Sequence, residues 1–405
     1  MTTNFTKPLS GIRVLDFSSM MAGPYCGRWL ADLGADVIKV EPPEGDYMRT
    51  RPPLRDGYSA YFGHLNCGKR SIVLDLKNPD ALAVARRLVE QCDVLIENFR
   101  PGVMERLGLA YDMLGGRCTR LIYCSISGYG QAGPKAQDPA YAAIVHAASG
   151  FDDAWQSAQP SNERPPTCGI QIADVVAASF AAMAIQSALL VRAASGTGQK
   201  IDVSLAEGML ALMPIDIVNA QFPGDTRLTH YRPIAASDGY FVVVPLSQKN
   251  FVSLSKAMAR DELVSDIRFS SPSSRIANWS ALLAEIEAWA VTLSASECVA
   301  RLTDAGVPAS LYKSVVSNLT DPQLVSRRFF MEAQDAAGAF KVAGLPFSLN
   351  EEASHPAGPV WVPELGAHSY EILQELLGLG AAELELLASK GVFGARFDKL
   401  TQLTT

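Results

Sequence analysis

The stretch CGIQIADVVAASFAAMAIQSALLV, Cys168–Val191, holds a single charged residue, Asp174, at the mouth of an apolar run that reads as a buried helix until Arg192. A lone carboxylate there has two uses. Aspartate satisfies the free N–H groups of a first helical turn, so Asp174 reads as an N-cap. An acid set against an apolar element is also a candidate for catalysis, and this stretch does not separate the two. The other reactive side chains form no familiar set. Seven cysteines, at 26, 67, 92, 118, 124, 168 and 298, include no CxxC pair and no Cys/His cluster with zinc spacing, so no metal site is expected. An odd count without a disulfide pattern suits a reducing cytosol, and the expected location is cytoplasmic.

The elements around Asp174 alternate. Strands are expected at 12–17, 35–43, 69–76, 93–99 and 119–130, with a helix at 23–34 between the first two. A second helix is expected at 78–92, where Asn78 caps, Pro79 takes the first helical position and Asp80 suits the positive helix end. This alternation predicts an α/β fold, Rossmann-like, with a mostly parallel sheet. Glu41, closing the second strand, mimics the ribose-binding acid of dinucleotide folds. The loop before the helix, FSSMMAGPYCG, puts Met20 and Met21 where the first glycines of a pyrophosphate fingerprint belong, so NAD binding is not expected. After residue 213 the style changes. Asp238-Gly239 between two strand-like runs signals a hairpin, a helix is expected at 279–293, and together they suggest a smaller α+β domain. The stretch from His368 to Phe393 reads as helical and is expected to pack back on the larger domain.

With 405 residues, two domains are the natural division, and a net charge of −7 offers no general attraction to nucleic acid or anionic membrane. The apolar run 175–191 is interrupted by Ser179, Gln186 and Ser187 and falls short of the roughly 20 residues that span a bilayer, so no membrane segment is expected.

Several blocks together resemble one family. LSGIRVLDFSSMMAGPYCGRWLADLGADVIKVEPP, NCGKRSIVLDLK, DVLIENFRPGVMERLGL, SISGYGQAGP, GTGQKIDVSLAEGML and PELGAHSYEIL follow, in order, the pattern of the family III CoA-transferases, a group that includes the 2-methylacyl-CoA racemases. The resemblance implies an interlocked homodimer, a large domain at 1–205 that the chain re-enters at 346–405, a small domain at 229–325, and connectors at 206–228 and 326–345. It implies coenzyme A or its acyl thioester as substrate, with a small carboxylic acid, and no tightly bound cofactor. CoA carries phosphates, so its site needs cations and N–H donors. Lys69, Arg70, Lys77, Arg100 and Arg106 are candidates, although each in isolation reads as a solvated surface charge. By resemblance, Ser19, Met20, Met21 and Ala22 line the thiol end, and Leu74, Lys77, Asn98, Phe99, Arg100 and Arg106 hold the nucleotide. Pro42 stands where some members have an adenine-stacking arginine.

By the same resemblance Asp174 is the catalytic aspartate, a covalent acyl carrier whose pKa the helix N-terminus would lower. The racemase branch needs an acid/base pair, and this chain has Tyr141-Ala142 and Gln248 at those positions. Neither Ala142 nor Gln248 moves a proton at neutral pH, and His146, five residues beyond Tyr141, reads as a helix-face residue. Tyr141 matches a tyrosine that lies near the thioester in transferases, and Gln248 falls in the substrate pocket. The glycine-rich lid of the formyl-CoA branch is absent from VVVPLSQKNFVSLS. A CoA transferase is therefore expected, with a racemase or a non-catalytic CoA-binding subunit as the alternatives.

Overall fold

The computed structural model describes residues 7–114, 116–157, 167–222, 231–349 and 358–394. Its contacts divide into two units, one of residues up to Val218 together with those from Ser326 onward, the other of Asn219–Val325.

In the first unit, six strands form one sheet: β1 (Arg13–Asp16), β2 (Asp36–Glu41), β3 (Arg70–Val73), β4 (Val94–Glu97), β5 (Ile122–Ser127) and β6 (Lys200–Ser204). All pairs are parallel and the order is β3-β2-β1-β4-β5-β6. These strands read as continuous apolar runs because helices cover both faces. The helices used below are α1 (Ala22–Asp32), α2 (Ala60–Asn66), α3 (Pro79–Val89), α4 (Ala142–Ala148), α5 (Ile172–Ser195) and α6 (Leu205–Ala211). One face packs α1, α4, α5 and α6 around Val14, Ile96, Cys124 and the small side chains Ala177, Ala178 and Ala181 of α5. The other packs α3 and the C-terminal helices against Leu15, Ile38, Ile72 and Leu95.

Asn78 caps α3 as expected, its side chain accepting the Asp80 N–H at 2.9 Å with Pro79 leading the helix. The apolar run of α5 is longer than the sequence suggests. Its helix has 24 residues, long and apolar enough by length and composition to cross a membrane. One face of α5 is nevertheless core, packed on α1, α6, β5 and β6. The C-terminal stretch does return to the sheet, but as two helices, Ser369–Leu377 and Ala381–Ser389, because Gly378 turns left-handed between them at φ 66°. Residues 326–345, expected as a connector, form most of an antiparallel hairpin, Phe330–Asp335 with Gly338–Ala343. In the 206–228 stretch, α6 packs on α5.

The second unit holds a three-stranded sheet of β7 (Ile234–Ala235), β8 (Tyr240–Val243) and β9 (Ala309–Leu311), with β8 central and antiparallel to both neighbours. The turn at Asp238-Gly239 closes the expected hairpin, with Ala236 N–H donating to Gly239 O at 2.9 Å. Its core joins Phe241, Phe251 and Phe269 to the helix Trp279–Ala290 through Leu282, Leu283 and Ile286.

Candidate active site

The strand order reverses between β1 and β4, and in open parallel sheets ligands bind beyond the strand ends at that point. The loop leaving β1 is pinned there from several sides. Asp16, fully buried, accepts the Ser18 N–H at 3.0 Å and the Ser18 hydroxyl, and it pairs with Lys69 at 2.9 Å. Burial alone would raise the Asp16 pKa, but Lys69 and Lys39 override it and hold the carboxyl below its usual range. Lys69 also donates to Pro24 O at 2.7 Å. Lys39 donates to Ser18 O at 2.9 Å and pairs with Asp46 at 2.8 Å. Asn98, beyond β4, grips Ser19 twice: its Oδ1 accepts the Ser19 N–H at 2.9 Å, and its Nδ2 donates to Ser19 O at 2.7 Å.

Two sequence expectations change here. Lys69 is a buried structural cation, not a solvated one. Arg70 is engaged too, bridging Asp36 at 2.6 Å and Glu375 at 2.7 Å. Lys69 is spent inside the protein and Arg70 on ion pairs at its edge, because the start of β3 places them next to acids of β1, of β2 and of the helix Ser369–Leu377. Glu41 is likewise held internally, bidentate to Arg49 at 2.7 Å and accepting from Ser71.

The pinned loop delivers α1. Met20 adopts φ 67°, a left-handed conformation that costs a non-glycine residue energy and that the surrounding bonds must enforce. Gly23 lets the helix start run against the loop, since a Cβ there would lie 2.2 Å from Ser18 Cβ. Met21 occupies the N-cap of α1 without a side-chain cap, and with Pro24 in the first turn the N–H groups left uncapped are those of Ala22 and Gly23. One of them, from Ala22, faces the carboxylate of Asp174 and favours its charged form.

Asp174 is not the N-cap of α5. Gln171 takes that position without a side-chain bond, and Asp174 sits in the first turn. Three N–H groups at this helix start have partners. Ile172 N–H reaches Ile170 O at 2.9 Å, Ala173 N–H reaches His146 Nε2 at 3.2 Å, and Val175 N–H closes on Gln171 O at 3.2 Å. The Asp174 N–H lies close to its own carboxylate and favours the charged form. The helix end was expected to lower the acid's pKa. Burial wins instead and pushes it up to about 6, against the opposing N–H groups of Ala22 and of Asp174 itself. The neighbouring Tyr61 of α2, which sequence reading missed, feels the Asp174 charge and donates to Met21 Sδ at 3.0 Å. No local pattern marks Tyr61; only the packing of α2 against α1 brings it in.

A cleft of about 370 Å³ opens beyond the ends of β1, β2 and β3. Ser19, Leu74, Lys77 and Phe99 line it, with Pro42 and Pro43 on the β2 side, so four of the expected CoA residues come together. Asn98 stands behind this wall as the clamp on Ser19. Arg100 lines a separate small polar cavity with Glu97, Ser125 and Gln131. Glu97 is pushed up to about 7 there, by burial. Arg106 ends the short helix Val103–Arg106, its guanidinium beside Gly102. Tyr141 leads into α4 and is 68% exposed. Gln248 is exposed in the second unit, its Oε1 accepting from the buried Arg275 at 2.7 Å. His146 lies on the buried face of α4, 2% exposed, with Nε2 accepting from Ala173 N–H. Among the described residues no three His, Cys, Asp or Glu side chains cluster to hold a metal ion.

The family model described as CoA-transferase family III matches residues 9–369. The chain belongs to CoA-transferase family III. It is 35% identical to the succinyl-CoA–D-citramalate CoA-transferase of Chloroflexus aurantiacus, over 95% of this chain and 98% of that protein. It is 32% identical to the formyl-CoA:oxalate CoA-transferase of Streptomyces avermitilis, over 96% of this chain and all of that one. Among solved structures, a CAIB/BAIF family protein from Brucella suis superposes with a TM-score of 0.80 at 34% identity, covering 92% of this chain and 100% of that one. This family III protein is thus an enzyme that transfers CoA between an acyl-CoA and a carboxylic acid.

Proposed function

We propose that the protein moves CoA from a succinyl-type thioester to a short dicarboxylic or hydroxy acid, using Asp174 as covalent carrier. The observation that carries this reading is the meeting of two helix starts at one carboxylate: Asp174 in the first turn of α5, facing the Ala22 N–H at the start of α1. Relatives named as transferring CoA to or from citramalate, glutarate and oxalate support the acid class.

The chemistry runs in four balanced steps. The Asp174 carboxylate attacks the thioester carbonyl; a C–O bond forms, the C–S bond breaks, and CoA leaves as thiolate, giving an acyl-aspartyl anhydride. The thiolate attacks the aspartyl carbonyl and releases the donor acid, leaving an aspartyl-CoA thioester. The incoming carboxylate attacks that thioester, expelling CoA thiolate and forming the second anhydride. The thiolate then attacks the new acyl carbonyl, and Asp174 is regenerated. Each attack builds an oxyanion beside the Ala22 N–H at the start of α1, a donor that the Asp174 carboxylate gives up as its charge passes into the new bond. The cleft lined by Leu74, Lys77, Phe99 and Pro42 is our assignment for the nucleotide part, with the apolar proline face under adenine in place of an arginine. Tyr141 is assigned to the substrate end.

A racemase finds little support. The Gln248 amide is no base, and the His146 Nε2 lone pair is occupied by Ala173. A homodimer is supported by apolar surface on the first unit, where Met183 and Leu190 of α5 join Trp29, Leu345 and Phe347 around a cleft of about 430 Å³. The smaller domain is assigned to Asn219–Val325. The seven cysteines are all free, in keeping with the cytoplasm. The test is chemical. Enzyme incubated with succinyl-CoA and hydroxylamine should yield a hydroxamate at Asp174 by peptide mass spectrometry, and full turnover by Asp174→Ala would refute the mechanism.

A further inference from the structure

The nucleophile's helix lacks a cap from its own sequence. Gln171 makes no side-chain bond, and Asp174 is the only acid in the first turn. An aspartate there ordinarily folds back onto the free N–H groups. Each further N–H that such a carboxylate accepts weakens it as a nucleophile, and Asp174 already faces those of Ala22 and of its own residue.

His146 removes that demand. It lies on α4, 27 positions before Ala173, and is 2% exposed, with its ring 5.4 Å from that of Phe151. Its Nε2 accepts the Ala173 N–H at 3.2 Å. A ring nitrogen that accepts is unprotonated, so the neutral ring carries its proton on Nδ1. Burial pushes the His146 pKa down and favours this neutral form, with Asp152 acting weakly in the opposite sense.

We propose that His146 is the positioning residue of the nucleophile: by capping Ala173 it relieves the Asp174 carboxylate of that duty and leaves it turned toward the thioester. The assignment rests on Asp174 being the acyl carrier, and the test separates the two. Full-length wild type, His146→Leu and His146→Gln are compared in the first half-reaction, with succinyl-CoA as donor and hydroxylamine as trap. Leucine removes the acceptor and keeps bulk, whereas glutamine restores an acceptor oxygen.

The expected result is an acylation rate about tenfold lower in His146→Leu, with KM for succinyl-CoA within about twofold, and recovery to within about threefold in His146→Gln. In His146→Leu the acid limb of acylation should also move to lower pH, because the carboxylate gains the Ala173 N–H. The titratable groups facing this site are Tyr61 of α2 and Asp152, and neither variant alters them. Acylation by His146→Leu at the wild-type rate overturns the proposal. So do equal losses in both variants with an unmoved acid limb, which is what simple packing damage produces. Side-chain 15N NMR of the wild-type protein tests it without any variant: Nε2 should be bare at neutral pH, and a protonated Nε2 overturns the assignment. No label on Asp174 in the wild type overturns the nucleophile reading, and this one with it.

Discussion

Asp174 works against its own fold. With a pKa raised from 3.8 to about 6, its ionised form is disfavoured in the folded state, so its contribution to stability is most favourable below pH 3.8 and is lost as pH rises through about 6. At neutral pH the difference is worth about 3 kcal/mol at most, from roughly 1.4 kcal/mol per pKa unit. Asp174→Asn should therefore raise Tm at pH 7.5, and the gain should disappear near pH 4. An unchanged Tm across that range would count against a strained carboxylate. The same value sets the rate profile. With Asp174 as the proposed acyl carrier, acylation needs its carboxylate, so turnover should fall on the acid side as pH drops through about 6, in stopped assays of thioester exchange.

At the scale of elements, the decisive unit is the loop from Ser18 to Pro24, held by side chains from β1 and β2, by Lys69 just before β3 and by Asn98 just after β4. Asn98 alone supplies two bonds to Ser19. Asn98→Ala should cost about 1–3 kcal/mol and raise KM for acyl-CoA by about tenfold, the first read by urea denaturation and the second by initial rates. Lys69→Met is a harsher change. It leaves Asp16 buried without its nearest cation, and losing one partner of a buried pair costs about 3–5 kcal/mol. Its midpoint in urea should drop more than that of Asn98→Ala; the reverse order would mean that Lys69 is not the keystone of the loop.

At the scale of the whole molecule, α5 faces two ways. Its inner face carries alanines against the sheet, and its outer face shows Leu190 at 75% exposure beside the apolar cleft of the first unit. Exposed leucine and methionine around such a cleft favour a second copy as the covering partner. Leu190→Asp should shift the protein toward monomer in light-scattering chromatography while leaving its circular dichroism unchanged. A wild-type protein that runs as a monomer at micromolar concentration would rule out the homodimer.

Local patterns determined much of this. Apolar runs spaced by helical segments fixed the parallel sheet, Asn78-Pro79 fixed a helix start, and Asp238-Gly239 fixed a hairpin, because each rests on interactions within a few residues. The isolated Asp174 was also legible, since one charge before an apolar helix stands out in any reading. Long-range contact decided the rest. The groups packed around Asp174 and its helix start, His146, Ala22 and Tyr61, lie on three other helices and carry no local mark of that placement. Lys69 and Arg70 looked like surface cations until the sheet set them beside Asp16 and Asp36. The rise in the Asp174 pKa had the same origin: a helix end is written in sequence, but burial is a property of what packs over it.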